Sequence, residues 1–372
     1  MRLITNFAMV FGIIAMVGCG TQPQKQVSNA STGGSDPATA NQNGVMPVFS
    51  FAASEYPSWS TFMVAAKAGL INPKEGGVPG AFERKWNVDI VLHVKDYDPC
   101  ITMFGGGTVD GTCLTNIDAL NPAFGRSTTA IMPTSTSVGA DKIITVGNIN
   151  KLADLKGKKT YGLAKSVSHY NFYRLLKQNK LNPADYPFVQ LDPAAAATAI
   201  QSGNSDVQAI SVWNPFALQT LRTNTKSKSI ADSGSIPEEI IDMVVVATDS
   251  LEKPGGDRFA ACLCDVFYEI NRKLEDPKTS DTIAQAIGAD FSNLPLTDMR
   301  ICLRETRFYA NPKVGTKLFV SPEFRSTMKV VQEACTAIEL VEQGKMPTVG
   351  FNEPTTQLNF DTRFMNLVSK NR

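Results

Sequence analysis

From residue 48 onward the chain alternates between two hydrophobic periods. Residues 48–53 are a nearly continuous apolar run of strand length, and 61–70 set apolar side chains three and four apart, which predicts a buried strand followed by a helix. The cycle then repeats. Residues 88–94, 109–115 and 128–132 read as strands, and 98–104 as a helix stopped by Gly105, Gly106 and Gly107. A second group follows, with strands at 142–146, 159–163, 188–191 and 207–212, a short helix at 152–155 and longer helices at 168–178 and 193–201. One more apolar strand, 240–247, comes after Ile236-Pro237, and the pattern is mostly helical from there to Val341. Strands alternating with helices predict an α/β architecture with mainly parallel sheets. Two such groups, one before Thr134 and one between Ser137 and Pro237, predict two lobes, with the helical third segment returning to one of them.

The first 46 residues show neither period. Arg2 supplies a positive start, 7–17 is almost wholly apolar, and Met16-Val17-Gly18-Cys19 falls where signal cleavage is expected. Small residues beside a Cys at that point resemble a bacterial lipobox, so residues 1–18 are expected to be a lipoprotein signal peptide and Cys19 the lipidated residue. The apolar run is shorter than the roughly 20 residues that a spanning helix needs. Residues 19–46 are Gln, Ser, Asn, Thr, Gly, Ala and Pro with almost no large apolar side chain, which predicts a flexible tether. The expected organisation is then lobe 1 from 47–134 and 241–345, lobe 2 from 135–240, and a C-terminal tail from 346–372.

Composition narrows the function classes. The chain is 43% hydrophobic and 19% charged, enough apolar material for two packed lobes. Its 36 Lys and Arg stand against 35 Asp and Glu, a balance that gives no attraction to phosphate backbones, so no nucleic-acid partner is expected. Two His and seven scattered Cys, with no Cys-x-x-Cys pair, leave little material for a metal site, and neither metal nor cofactor is expected. Cys262 and Cys264 lie two apart in an apolar helix and point to different faces. Cys100 and Cys113 suit a disulfide in an exported protein, but sequence does not fix the pairing. Phe104-Gly105-Gly106-Gly107-Thr108 lacks the Gly-Lys-Ser/Thr ending of a phosphate loop, and Lys156–Lys159 reads as a solvated turn.

Ligands of open α/β sheets sit outside the carboxyl ends of the strands, which directs attention to the loops at 54–60, 115–118, 164–169, 192–194 and 213–216. Leu155-Lys156-Gly157-Lys158-Lys159 before a strand, and Ser166-Val167-Ser168-His169 opening a helix, resemble the central segment of one transporter family. It is the bacterial ABC-transporter solute-binding proteins of the nitrate, sulfonate, taurine and thiamine-pyrimidine type. Asp192-Pro193-Ala194, Ala196-Ala197, Gly203, Asp206 and Val212-Trp213-Asn214-Pro215-Phe216 continue the resemblance, which spans 47–345 in its order of elements. It implies a type II periplasmic-binding-protein fold, two lobes with two hinge crossings, near Thr134-Ser135-Thr136 and Ile240-Ile241-Asp242, and a ligand trapped by closure. It also implies a monomeric, extracytoplasmic protein, lipid-anchored to the membrane, that delivers a small-molecule solute to an ABC-transporter permease and has no chemistry of its own. An enzyme on the same fold and a ligand-presenting sensor are the alternatives; no paired nucleophile and base favours the former.

Within those loops Glu55, Tyr56 and Trp59 form the most distinctive group, an acid and two aromatics directly after a buried strand. Trp213 and Asn214 are expected to approach from the other lobe, and Ser166, Ser168 and His169 to offer a helix N-terminus and hydroxyls to a ligand oxygen. Ser166 and Ser168 equally suit capping their own helix. Asn116 and Asp242 complete the expected ligand-binding set. Asn116 and Asp118 replace the Gly-rich loop common in the family, which puts anion recognition there in doubt. Glu55, Asp118, Asp192 and Asp242 with only Lys165 nearby predict a ligand bearing an amine, amidine or urea-like donor, or a zwitterion such as an aminosulfonate.

Overall fold

In the computed structural model, which describes residues 45–371, the chain first lays down β1 (Val48–Ala53), β2 (Asp89–Val94), β3 (Gly111–Thr115) and β4 (Thr128–Ser137). It then leaves for a second sheet with β5 (Asp141–Thr145), β6 (Thr160–Gly162), β7 (Phe188–Gln190), β8 (Ala209–Trp213) and β9 (Lys228–Asp232). β10 (Ile241–Ala247) returns to the first sheet, followed by β11 (Thr306–Phe308), β12 (Val349–Phe351) and β13 (Leu358–Phe360). The large sheet runs β12-β13-β4-β10-β3-β1-β2 with β11 on β4, and the small one β7-β6-β8-β5-β9. The expected signal peptide, Cys19 and the tether up to residue 44 lie outside the described residues.

Each sheet is mixed rather than mainly parallel. β1 is parallel to β2 and β3, and β6 to β7 and β8, but β10 runs antiparallel to β3 and β4, and β5 antiparallel to β8 and β9. In each sheet the strand that follows a crossing runs antiparallel to both its neighbours, and β11 also runs antiparallel to β4. β10 is buried at all seven positions, as its unbroken Ile-Asp-Met-Val-Val-Val-Ala run requires of a central strand, and the 20-residue helix Gly256–Glu275 covers the sheet. Phe259 of that helix stacks on Phe49 of β1, ring centroids 4.7 Å apart.

Residues 346–371, the described part of the expected tail 346–372, pack instead as part of the large-sheet lobe. β13 pairs in parallel with β4, Leu358 opposite Thr128, and Phe360 joins Phe319, Phe324 and Phe351 in an aromatic cluster. The helix Arg363–Lys370 buries Phe364, Met365 and Val368 against Gly256–Glu275 and Pro312–Val320. β12 (Val-Gly-Phe) and β13 (Leu-Asn-Phe) are each broken by a Gly or a polar residue and lie in no longer apolar run, which is why the sequence does not announce them.

The crossings run through residues 138–140 and 233–240, beside the expected positions; Thr134, Ser135 and Thr136 still belong to β4, and Ile241 and Asp242 already to β10. They are tied to each other. Ser137 Oγ lies 2.6 Å from Ser233 Oγ, the Gly139 N–H donates to Ser233 Oγ (2.9 Å), and the Ser137 N–H donates to the Ile240 carbonyl (3.2 Å). Among the described residues no helix is long and apolar enough to cross a membrane, and no group of three His, Cys, Asp or Glu is placed to hold a metal. Cys100 and Cys113 are buried free thiols.

Candidate functional site

The loop after β1 turns inward because the Tyr56 carbonyl accepts from the N–H groups of Trp59 (3.0 Å) and Ser60 (2.8 Å), which starts the helix Ser60–Lys67 with both rings facing the interior. Tyr56 packs on Trp59 at 5.0 Å, and Trp59 stacks on Tyr97 at 5.4 Å and 18°. Tyr97 meets the edge of Trp213 at 5.8 Å and 75°. Tyr97 begins the helix Tyr97–Gly105 after β2, and Trp213 ends β8, so this row of four rings passes from one sheet's lobe to the other's. With Thr115, Asp141, Val167, Ile240 and Asp242 the rings line a narrow cavity of about 20 Å³. Its walls come from both lobes, and none of its lining residues is Lys or Arg.

Buried carboxylates dominate its electrostatics. Burial pushes Asp141 up to about 6 against the opposing effects of Ser137 and Lys142, and pushes Asp242 well above its ordinary value although Ser135 Oγ donates to it at 2.6 Å. The Lys142 ammonium is turned to Glu305 Oε1 (2.9 Å). Asp118, just behind the wall, accepts from the Tyr97 hydroxyl (2.7 Å), Thr115 Oγ1 (2.9 Å) and the Val167 N–H (3.3 Å), and burial outweighs these bonds to raise it to about 6. Val167 opens the helix Val167–Gln178 of the small-sheet lobe, so a carboxylate of one lobe already occupies the helix N-terminus of the other.

Four of the ten expected ligand-binding residues meet in this cavity: Tyr56, Trp59, Trp213 and Asp242. The other six are placed elsewhere. Glu55 is exposed, accepts from Ser292 Oγ (2.9 Å), and faces a wide outer depression, since a charge next to Tyr56 has no partner inside. Asn116 braces the start of β10, donating to the Glu239 carbonyl (3.1 Å) and accepting from the Ile241 N–H (2.9 Å). Ser166 caps its own helix, accepting from the Ser168 N–H (3.2 Å) and donating to the Leu163 carbonyl (2.7 Å). Ser168 is buried with its hydroxyl unpartnered, and its carbonyl accepts from Ser211 Oγ (2.9 Å). His169 stacks on Phe188 at 4.4 Å, and burial together with Lys165 lowers it to about 4, which keeps it neutral. Asn214 donates to Glu305 Oε2 (2.7 Å). Tyr97 and Asp141 were not expected; Tyr97 follows the carboxyl end of a strand, the rule that located the other loops, whereas Asp141 follows a crossing and carries no local signal.

Tyr97 and Trp213 also line the outer depression, about 520 Å³, with Glu55, Asp96, Asp98 and Asp192 around it. The pair therefore separates an outer acidic mouth from the inner aromatic cavity.

Residues 140–260 match the family model described as NMT1/THI5 like, which bears out the resemblance seen at 155–216. No curated protein matches the chain. Among solved structures, the alkanesulfonate-binding protein SsuA from Xanthomonas axonopodis pv. citri, bound to MOPS, superposes with a TM-score of 0.64 at 16% identity, covering 81% of this chain and 96% of that one. The periplasmic aliphatic sulphonate binding protein SsuA from Escherichia coli gives 0.59 at 20% identity, over 78% and 86%. A Candida albicans protein described as having the generic periplasmic binding protein structural fold gives 0.58 at 12%, over 80% and 92%. The fold is that of the periplasmic binding proteins.

Proposed function

We propose that this protein, a periplasmic-binding fold whose small-sheet lobe and following strand β10 carry the NMT1/THI5-like match, is the extracytoplasmic solute-binding component of an ABC importer. On this reading it is a monomer that takes a small polar nitrogen- or sulfur-containing organic solute between its lobes and hands it to a permease. The observation that carries this is the composition of the cavity wall: Tyr56, Trp59, Tyr97, Thr115, Ile240 and Asp242 come from the large-sheet side, Asp141, Val167 and Trp213 from the small-sheet side. A site split between two bodies joined by two short crossings is assembled by their approach and opened by their separation. The binding-protein neighbours support the same role. Lipid attachment at Cys19 belongs to this proposal, and intact mass of wild type against Cys19→Ser tests it: a difference equal to the sulfur-to-oxygen exchange alone removes the anchor.

The test of binding is a thermal-shift screen of the folded body against small nitrogen and sulfur compounds, followed by solution scattering with the best hit. A hit is expected to raise the melting temperature, perturb tryptophan fluorescence through Trp59 and Trp213, and compact the scattering envelope. Trp213→Ala is expected to weaken that hit by about 1–3 kcal/mol, the scale of losing an aromatic face from a buried ligand. Unchanged affinity in a folded Trp213→Ala variant, with superimposable scattering curves, would take binding away from this cavity.

A further inference from the structure

Resting on the solute-binding reading, we infer that the group recognised in the inner cavity is a small organic ammonium with a neighbouring oxygen, its charge met by Asp141 and Asp242 and its faces by Tyr56, Trp59, Tyr97 and Trp213. Three independent observations converge. First, the wall holds two buried carboxylates, no basic side chain and four aromatic rings in a row, the combination that stabilises a cation removed from water once the rings part to expose their faces. Second, the seat that a helix N-terminus offers to an anion is filled by the protein itself, through Asp118 on the Val167 N–H, and Ser166 caps the same turn, so an anionic end is left without the donors it requires. Third, Trp59 Nε1 is buried in this wall, its residue 3% exposed, with no hydrogen-bond partner. The indole N–H is a donor only, so it calls for an acceptor on the ligand, which the neighbouring oxygen supplies.

Size sets a further bound. About 20 Å³ is room for one water, so even a compact head group enters only when the lobes part and the rings separate. The acids of the outer depression, Glu55, Asp96, Asp98 and Asp192, extend negative potential to the Tyr97–Trp213 pair and favour the approach of a cation. The proposed ligand chemistry thus differs from that named for the sulfonate-binding neighbours, although the fold is shared.

Calorimetry with matched probes decides: choline and ethanolamine as cations, 3,3-dimethyl-1-butanol as the neutral isostere of choline, and 2-hydroxyethanesulfonate as the anion. At least one cation is expected to bind ten-fold or more tightly than both the neutral and the anionic probe. Asp141→Asn is expected to remove most of that margin while leaving the neutral probe unaffected. The ranking in the wild-type protein needs no variant, so a misfolded Asp141→Asn does not weaken the test. Tighter binding of the sulfonate, or equal binding of choline and its isostere, overturns the cation assignment and leaves solute binding intact. If no probe binds, native mass spectrometry of the protein exposed to a metabolite extract separates the two failures. A bound small molecule of another class overturns the ammonium alone; no bound species at all overturns both.

Discussion

Asp141 is one residue beyond the first crossing, and burial in a nearly dry wall raises its carboxyl to about 6, which leaves it ionised at pH 7 but protonated under mild acid. With Asp118 it gives a stability term of definite sign. Both retain a proton up to about 6 in the folded protein, while the unfolded chain releases it near the ordinary carboxylate value, about 4. The folded state therefore binds more protons between these values, and this contribution is complete below pH 4 and lost as pH rises through about 6. Thermal unfolding is expected to show wild type losing more stability from pH 4.5 to 7.5 than Asp141→Asn does. Parallel pH profiles would mean that Asp141 is solvated. At this scale the sequence reveals Tyr56 and Trp59, two aromatics directly after a buried strand, and Trp213 at the end of another. It does not reveal Asp141, or the turning away of Glu55 and Asn116, because those depend on which backbone groups lie opposite across the lobes.

Among the elements, the small sheet shows how closely strands pack behind the cavity. Gly162 of β6 lies where an added Cβ would stand 2.5 Å from the Ser211 carbonyl oxygen and 2.9 Å from Phe188 Cζ, and Ser211 precedes Trp213 on the neighbouring β8. Gly162→Ala is expected to push β6 from β8 and cost about 1–3 kcal/mol, the range of overpacked cores. Denaturant unfolding measures it; a midpoint equal to wild type would show that the sheet yields freely. Long buried strands such as β1 and β10 are legible because their apolar runs have no other stable placement. The three-residue strands β11, β12 and β13 are held by pairing with β4 or with each other, and the sequence carries no period from which to read them.

The whole molecule is closed by contacts between lobes that no single element contains. Glu305 lies at the start of β11 on the large-sheet side and reaches Lys142 Nζ (2.9 Å) and Asn214 Nδ2 (2.7 Å) on the other, while Arg222 pairs with Asp298 at 3.0 Å. Removing the Glu305 fork leaves Lys142, whose side chain is 8% exposed, without its carboxylate. Glu305→Ala is therefore expected to enlarge the radius of gyration in solution scattering, and curves identical to wild type would show that closure is held elsewhere. Two lobes were legible from the repeated strand–helix groups; how they meet was not, since it rests on single side chains far apart in the chain. The placement of β13 against β4 has a consequence in time. As the ribosome delivers the chain, β4 waits with both flanks bare until β10, then β11 and last β13 emerge, whereas β5 to β9 are contiguous and pair as soon as they appear. The lobe that starts first must then finish last, with the inserted lobe already folded in its midst.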